Sequence, residues 1–251
     1  MKRPIFIVLL MFFSFFHLPT SAEEKNTLVV AIGSDGAPPW EIINPESITG
    51  IDIEIINRIG VKLGMPISYR RYPFARCIKN MEEGTVDLMA YLSFKEERTS
   101  FMRYIQPAYM NGVKAFFVLK DNGKKIAKYE DLFGLTVGVI RGTKHHKQFD
   151  TDQRINHIEV TSTEQMLSML LLKRLDAVID NDTGGLYHIN RLGLNDKIAM
   201  AEYTIVLKNN GYFAFSKNSK HLDKADAFEL ALKEMQKNGE IERIVQQFIK
   251  R

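Results

Sequence analysis

"GIDIEIINRIGVKLG", residues 50–64, has the apolar period of an amphipathic helix and ends at a glycine, as helices often do. The apolar stripe of this helix consists of Ile53, Ile56, Ile59 and Leu63. The stretch follows "TLVVAIG" (27–33), a short β-branched run closed by glycine, which is typical of a buried parallel strand. A strand followed by a helix predicts a βα unit, the building block of α/β folds.

The same alternation continues along the chain. Further strands are predicted at "ISYRRY", "VDLMAYL", "NGVKAFFVLK", "LTVGVI", "HIEV", "DAVID" and "GYFAFS". Helices are predicted at "PFARCIKNMEEG", "KHHKQF", "STEQMLSMLLLKR" and "GGLYHINRL", and from about Leu222 to Lys250 with a break at Asn238-Gly239. Two such runs, joined by the extended segment 111–120, predict two α/β lobes with mostly parallel sheets. Ligand chemistry is expected at the carboxyl ends of the strands.

The first 22 residues have the pattern of a secretory signal peptide. Lys2 and Arg3 form a basic start, an apolar run covers 5–16, and small residues end at Ala22, where we expect cleavage. The apolar run is shorter than the ~20 residues that a membrane-spanning helix needs. No cysteine follows the run, so we expect no lipid anchor. The mature chain is therefore predicted to be exported to the periplasm.

Composition excludes several classes of function. The formal net charge of +4 falls to +2 without Lys2 and Arg3, and acidic and basic residues are interspersed, so no nucleic-acid partner is expected. Cys77 is the only cysteine, which excludes an intrachain disulfide. We interpret it as a small buried residue rather than a catalytic thiol. We expect no cofactor, no metal and a monomer.

Several motifs, in order along the chain, resemble those of one family. The helix at 50–64 is similar to that family's "GFDVDLAKAIAKKLG". "MEEGTVDLMAYLSFKEERTSFMRYIQPAY" (81–109) resembles, without a gap, its "L-x-x-G-x-VD…T-x-x-R-x-x-x-x-x-F-S-x-P-Y" block. "YEDLFGLTVGVIRGT", "RLDAVIDND" and "NGEIERIVQQF" are similar to its "DLKGKTVGVQRGT", "GRVDAVVAD" and "GTYDKIYKKW". The family is the periplasmic solute-binding proteins of ABC importers, polar amino-acid group (solute-binding protein family 3).

The resemblance implies a type II periplasmic-binding-protein fold, with two α/β lobes joined by two crossing strands and the ligand in the cleft between them. Lobe 1 is then about 23–110 plus 211–251, and lobe 2 is about 111–210. The chain is expected to cross near Met110–Val113 and again near Asn209–Gly211. Members of the family close on their ligand by a hinge motion.

Arg98 aligns with the arginine that binds the ligand's α-carboxylate in the amino-acid binders. A planar guanidinium offers two parallel donors that match a carboxylate. A short helix is expected to start near Lys95, where free N–H groups favour an anion. Ser93 takes the place of the family's threonine as a hydroxyl donor. The alternative for Arg98 is a solvated surface charge.

Two aromatic residues are candidates for the walls of the cleft. Trp40, in "APPWE", is the only tryptophan, and its face suits an aliphatic chain or a cation. Its alternative is a loop residue that covers the core. Phe74 lies where the family often has a second aromatic wall, and its alternative is a core residue at a helix start.

Lobe 2 aligns less well with the family. Arg141 and Thr143 fall in the loop that reaches the carboxylate, although Arg141 is equally explained as a solvated charge. Asn181 occupies the position of the aspartate that pairs with the ligand's α-ammonium. Asp182, Asp180 and Glu41 are the possible substitutes, with Asp182 favoured. We therefore expect standard amino acids to bind poorly, and a modified amino acid or another small carboxylate to be the solute.

Two further positions depart from the family, and one pair invites a metal interpretation. Tyr91 and Lys144 replace residues that are usually small, and Tyr91 either narrows the pocket or points into the lobe. His145 and His146 are predicted on a helix, where neighbouring side chains point about 100° apart and do not share a metal. We expect a surface pair.

The leading interpretation is a carrier that captures a small polar solute, bearing a carboxylate, and delivers it to a membrane permease. The alternative is an enzyme on the same fold, similar to periplasmic cyclohexadienyl dehydratase. Such an enzyme needs a proton donor and acceptor. Glu41, Asp180, Asp182 and Lys144 are the candidates, and no spacing selects a pair. A sensory domain or a lyase module is a third class, which a chain ending at Arg251 without a further domain disfavours.

Overall fold

A computed structural model describes residues 26–121, 123–207 and 211–250 of the chain. The predicted signal peptide, residues 1–22, lies outside these ranges. Within them, no helix combines the length and the apolar character needed to cross a membrane.

The first sheet has five strands in the order β4-β1-β5-β12-β6. Their bounds are β1 Leu28–Gly33, β4 Ile67–Tyr72, β5 Leu88–Ser93, β6 Met102–Tyr104 and β12 Gly211–Ser216. Strands β4 and β5 run parallel to β1, while β12 is antiparallel to both β5 and β6. A short antiparallel pair, β2 (Ile42–Ile43) and β3 (Ile48–Thr49), lies outside this sheet.

The second sheet also has five strands, in the order β11-β7-β10-β8-β9. Their bounds are β7 Val113–Leu119, β8 Thr136–Ile140, β9 Asn156–Val160, β10 Ala177–Asn181 and β11 Ile198–Val206. Strands β10, β8 and β9 are parallel, whereas β7 is antiparallel to β10 and to β11. The two sheets are the cores of two lobes, so the predicted α/β two-lobed architecture is confirmed.

The helices alternate with the strands. Their bounds are α1 Ile51–Leu63, α2 Phe74–Glu83, α3 Lys147–Thr151, α4 Thr163–Leu171, α5 Asp182–Arg191, α6 Ala225–Lys237 and α7 Glu240–Ile249. Single 3-10 turns cover Glu96–Ser100, Tyr129–Leu132 and Leu222–Lys224. Helix α1 ends as its sequence predicts: Gly64 has a φ of 63°, and its N–H bonds back to the last turn.

The apolar stripe of α1 fills the core of the first lobe. Ile53, Ile56 and Ile59 are buried in one cluster with strand β1 and with the aromatic residues of β12. Phe213 stacks on Tyr109, with ring centroids 4.0 Å apart. The second lobe has two clusters, one on each face of its sheet. Each lobe therefore has a core of its own, as a hinged pair of lobes requires.

The chain passes between the sheets twice, at Met110–Gly112 and between Leu207 and Gly211; of the second predicted crossing, 209–211, only Gly211 lies within the described residues. The N–H of Gly211 donates to the carbonyl of Met110 at 2.9 Å, and the N–H of Leu207 donates to the carbonyl of Gly112 at 2.7 Å. A third contact between the lobes lies away from these segments: the side-chain amide of Asn190 in α5 donates to the carbonyl of Ile249 in α7 at 2.6 Å.

Several local predictions need correction. Strand β11 and the short strand β6 were not predicted. Helix α3 begins at Lys147, so the two preceding histidines are not helical. His145 is 6% exposed and packs edge-to-face on Phe149, so the expected surface pair is wrong for this residue. Ser162 caps α4, since its hydroxyl oxygen accepts from the N–H of Gln165, and the side chain of Gln165 accepts from the N–H of Thr161.

Candidate functional site

Two cavities lie between the lobes, and a third, lined by lobe 1 residues, adjoins one of them. The hinge cavity, about 270 Å³, is lined by Trp40, Ile51, Tyr109, Met110, Asn111, Val113, Asn181, Asp182, Thr183, Ile241, Glu242 and Val245. The lysine cavity, about 200 Å³, is lined by Tyr91, Ser93, Met110, Gly112, Lys114, Lys144, Asn181, Leu207 and Gly211. The aromatic cavity, about 180 Å³, is lined by Gly33, Ser34, Asp35, Gly36, Ala37, Glu41, Phe74, Met89, Ala90 and Tyr91. Tyr91 borders the aromatic and lysine cavities, and Asn181 borders the lysine and hinge cavities.

Trp40 and Tyr91 form the aromatic centre of this region. Their ring centroids lie 4.8 Å apart at an angle of 34°. Trp40 is buried in the core cluster of lobe 1 and also lines the hinge cavity, so its role in the core leaves its ring accessible for the predicted ligand contact. It also reaches lobe 2, since a Cβ added at Gly184 in α5 would lie 3.5 Å from its ring. Tyr91 is 41% exposed and lines two of the cavities, so its side chain does not point into the core of the lobe.

The backbone of Tyr91 is held in an unusual conformation. Its φ is 53°, in the left-handed region that a bulky side chain rarely adopts. Its N–H donates to the hydroxyl oxygen of Tyr109 at 3.2 Å, and that hydroxyl donates to Oδ1 of Asp52 at 2.7 Å. Tertiary contacts must maintain such a conformation, and it is often found where a side chain has a functional position.

Two buried carboxyl groups lie beneath the aromatic centre. Burial raises the pKa of Glu41 to about 7, although the N–H of Gly33 donates to its Oε2 at 3.2 Å. Burial raises the pKa of Asp52 well above its usual range. The hydrogen bond from Tyr109 lowers this pKa, and the charge of Glu41 raises it further. Oδ2 of Asp52 is buried without a hydrogen-bond partner among the described residues. The pair therefore holds protons more tightly than exposed carboxyl groups do.

Arg98 lines none of the three cavities but lies next to Phe74, which lines the aromatic cavity. Its guanidinium is 5.6 Å from the ring centroid of Phe74, which is 52% exposed, so the core interpretation of Phe74 is wrong. Arg98 has no carboxylate partner in the described part of the chain; the ion pair of its turn joins Lys95 and Glu97 instead. Ser93 is exposed and lines the lysine cavity. Arg98 and Ser93 therefore adjoin different cavities, and their joint contact with one ligand carboxylate stays a prediction.

The lobe 2 candidates fall into two groups. Asn181 ends β10 and caps α5, since its Oδ1 accepts from the N–H groups of Thr183 and Gly184 at 3.1 and 3.3 Å. Asp182 lines the hinge cavity, and its Oδ1 accepts from Thr183 at 2.5 Å. Asp180 is engaged internally: the N–H of Asn181 donates to its Oδ1 at 2.7 Å. Asp180 is therefore poorly placed to pair with a ligand ammonium in place of the aspartate that the family has at position 181.

Arg141 and Thr143 lie outside the three cavities. Nε of Arg141 is 3.3 Å from Glu159 on β9, in an exposed ion pair. The backbone N–H of Thr143 donates to the carbonyl of Ile140, and its side chain is exposed. This exposed ion pair fits the interpretation of Arg141 as a solvated charge. Its role as a ligand-binding residue stays a prediction.

Sequence reasoning missed three residues of the site: Lys114, Asp52 and Tyr109. Lys114 is a lone charge in the apolar strand β7, a signal that was available in "VKAFFVL". Asp52 is fully buried in the first turn of α1, where an acidic residue is normally explained by the helix dipole. In the described ranges, no group of three or more His, Cys, Asp or Glu side chains is placed to hold a metal ion.

Two α/β lobes, two adjacent crossing segments and polar cavities at the junction define a two-lobed solute-binding protein. Residues 28–251 match the model of the bacterial extracellular solute-binding proteins, family 3. The chain belongs to this family, which confirms the resemblance drawn from the motifs.

Relatives cover most of the chain. It is similar to the "Probable amino-acid-binding protein YxeM" of Bacillus subtilis, with 23% identity over 91% of this chain and 86% of that protein. It is also similar to the "Probable histidine-binding protein" of Campylobacter jejuni, with 27% identity over 91% of this chain and 88% of that protein. Substrate binding domain 2 of Lactococcus lactis GlnP, in an open conformation, shares the fold. That match has a TM-score of 0.75 and 22% identity, and it covers 91% of this chain and 97% of that domain.

These relatives are named as binding proteins rather than enzymes. The prediction of a solute-binding protein is therefore confirmed, and the dehydratase-like alternative is not favoured. The family supplies the substrate-binding components of ABC transporters, which act outside the cytoplasm with a small-molecule ligand and a membrane permease.

Proposed function

We propose that the chain captures a small polar solute bearing a carboxylate, an amino acid or a related compound, in the cleft between its lobes and delivers it to an ABC permease. The observation that carries this proposal is Arg98. Its guanidinium faces an exposed aromatic ring at a cavity and has no acidic partner in the described part of the chain. A charged donor left unpaired beside a cavity is suited to an anionic group of a ligand.

The proposed ligand contacts come from both lobes. In lobe 1, Arg98 and Ser93 donate to the carboxylate, and three aromatic rings form the walls. In lobe 2, the carboxyl end of β10 and the loop after β8 approach the ligand when the cleft closes. The full set is Arg98, Ser93, Trp40, Phe74, Tyr91, Arg141, Thr143, Asn181 and Asp182. Arg141 and Thr143, like Arg98, line none of the three cavities here, and in this proposal they reach the ligand when the lobes close.

The lobe boundaries and the location in the cell complete the proposal. Lobe 1 is 23–110 plus 211–251, lobe 2 is 111–210, and the backbone bridge between Met110 and Gly211 supports the hinge there. The basic start and apolar run of residues 1–22 support a cleaved signal peptide and a periplasmic protein. We propose that it acts as a monomer.

The test is binding by Arg98→Ala. Removal of a charge-assisted bidentate contact costs about 2–4 kcal/mol, which corresponds to a loss of affinity of about 30- to 1,000-fold. The probes are small monocarboxylates and amino acids, measured by calorimetry. Arg70→Ala is the matched control, because Arg70 is an exposed arginine of the edge strand β4. Affinity of Arg98→Ala within about twofold of wild type, with unchanged thermal stability, would place the anchor elsewhere.

A further inference from the structure

The lysine cavity differs from its two neighbours in charge. Two lysines, Lys114 and Lys144, line it, and no carboxylate does. The hinge cavity includes Asp182 and Glu242, and the aromatic cavity includes Asp35 and Glu41. The lysine cavity is therefore cationic, and the two cavities next to it contain carboxyl groups.

Lys114 is placed in this compartment by the second sheet. It pairs with Asn181 on β10 and with Ile205 on β11, near the start of β7, so the neighbouring strands hold its backbone on both sides. The next residue, Ala115, is fully buried on the opposite face. A cation at this position is fixed by the sheet, unlike one on a mobile loop.

No described carboxylate is in direct contact with the ammonium of Lys114. Its ammonium has no hydrogen bond or ion pair with a described residue. Burial lowers its pKa, and the charges of Asp180, Asp150 and Asp182 oppose that effect from a distance. Both oxygens of Asp180 already accept hydrogen bonds, from the N–H of Asn181 and from the hydroxyl of Thr163. A partly buried cation without a contact partner favours an anion brought by a ligand.

Asn181 makes the lysine cavity unfavourable for an ammonium group of a ligand. Its Oδ1 is engaged at the N-terminus of α5, so the part of its side chain left for a ligand is the amide N–H₂, a donor. A ligand ammonium in the lysine cavity would therefore meet a donor and two lysines. An anionic group there would meet three complementary partners.

Tyr91 lies between the aromatic cavity, which adjoins Arg98 through Phe74, and the lysine cavity. This residue borders both the aromatic cavity, which Phe74 also lines, and the lysine cavity. Arg98 lies over Phe74 beside the first cavity, and Lys114 lines the second. A small solute with one anionic group beside Arg98 can extend past Tyr91 and present another anionic group to the lysines.

We propose that the solute carries two anionic groups, the first bound by Arg98 and the second bound in the lysine cavity by Lys114 and Lys144. Short α,ω-dicarboxylates are the class that this arrangement fits, and an amino group next to the second carboxylate is not required. This inference rests on the proposed function, since it uses Arg98 as the first anchor.

The experiment is a calorimetric series with the mature wild-type chain. Malonate, succinate, glutarate and adipate are compared with acetate, propionate, butyrate and pentanoate, and 3-phosphonopropionate tests a phosphonate as the second anion. At least one dianion is expected to bind tenfold or more tightly than each monocarboxylate. Equal affinities throughout, or no binding by any dianion at millimolar concentration, would overturn the inference.

Variants locate the second anchor. Lys114→Met keeps the length of the side chain and removes its charge, and it is expected to lower dianion affinity at least tenfold while monocarboxylate affinity changes less than twofold. Lys144→Met, at an exposed position, provides the same test without a buried substitution. Lys120→Met, at the exposed residue directly after β7, is the matched control. If both cavity variants bind the dianions as wild type does, the second anchor is not the lysine cavity.

The two proposals fail in different ways. If Arg98→Ala abolishes binding of every carboxylate while the dianions gain nothing over monocarboxylates, the proposed function stands and this inference falls. If the lysine variants weaken dianion binding but Arg98→Ala leaves the affinity unchanged, Arg98 does not bind either anionic group. The role of Arg98 in the proposed function is then wrong, while the lysine cavity remains an anion site.

Discussion

Glu41 is a carboxyl group whose removal should stabilise the protein above neutral pH. It is 6% exposed, and burial raises its pKa from the ordinary 4.5 to about 7. The folded state therefore binds the Glu41 proton more tightly than the unfolded state does. The resulting contribution to stability is fully present below about pH 4.5 and is lost as the pH rises through about 7.

The size of the effect follows from the two pKa values. Each pKa unit corresponds to about 1.4 kcal/mol, so the interval from 4.5 to about 7 corresponds to roughly 3 kcal/mol of unfolding free energy. Glu41→Gln cannot ionise, and its amide oxygen can still accept the hydrogen bond from Gly33. The stability of Glu41→Gln relative to wild type is therefore expected to rise by roughly 3 kcal/mol between pH 4.5 and pH 8.5.

The assay is urea denaturation followed by circular dichroism at intervals from pH 4.5 to pH 8.5. Circular dichroism is preferred to fluorescence because Trp40, the only tryptophan, is the neighbour of the substituted residue. Other titrating groups are common to both proteins and largely cancel in the difference. Asp52 is the exception, because the charge of Glu41 contributes to its raised pKa.

Glu46→Gln is the matched control. Glu46 belongs to the same segment but is exposed, so its substitution should leave the pH profile of stability parallel to that of wild type. If the difference between Glu41→Gln and wild type stays constant within about 0.5 kcal/mol over the whole range, Glu41 is not desolvated in the folded protein, and the electrostatic account of the aromatic cavity is wrong.

Two further predictions concern the ligand and the hinge. In wild type, standard amino acids at millimolar concentration should not raise the melting temperature. The Asn181→Asp variant should bind standard amino acids, because aspartate still caps α5 and adds a negative charge that can pair with the ligand's ammonium group. A rise of several degrees in the melting temperature of wild type with a standard amino acid would contradict the prediction. Small-angle scattering should show a smaller radius of gyration with saturating ligand, since the lobes close about 110–113 and 209–211; an unchanged profile with proven binding would contradict closure.

The elements with strong local signals were predicted from sequence. Helix α1 combines an apolar stripe with a terminal glycine, and β10 is a short apolar run, so their patterns alone indicated their structure. Strand β11 was missed because "IAMAEYTIV" mixes alanine, glutamate and threonine with apolar residues, and its burial is irregular. It lies at the edge of its sheet, where one side needs no partner strand and the pattern is correspondingly weak.

The site was predictable only where its residues belong to a continuous motif. Arg98 and Ser93 lie within one ungapped block, so their placement together at the cleft follows from the fold. Lys114 and Asn181 are distant in sequence and are brought together by the register of β7 and β10. That register depends on the packing of the whole lobe, which no local pattern encodes.

The hydrogen bonds around Tyr109 connect the binding pocket to the hinge. Tyr109 accepts from the backbone of Tyr91 and donates to Asp52, and its own N–H donates to the carbonyl of Gly211 at 3.1 Å. The first crossing segment begins at the next residue, Met110. The side chain of Tyr109 therefore holds the backbone of Tyr91, whose ring packs on Trp40. The backbone of Tyr109 is hydrogen-bonded to Gly211, next to the proposed hinge.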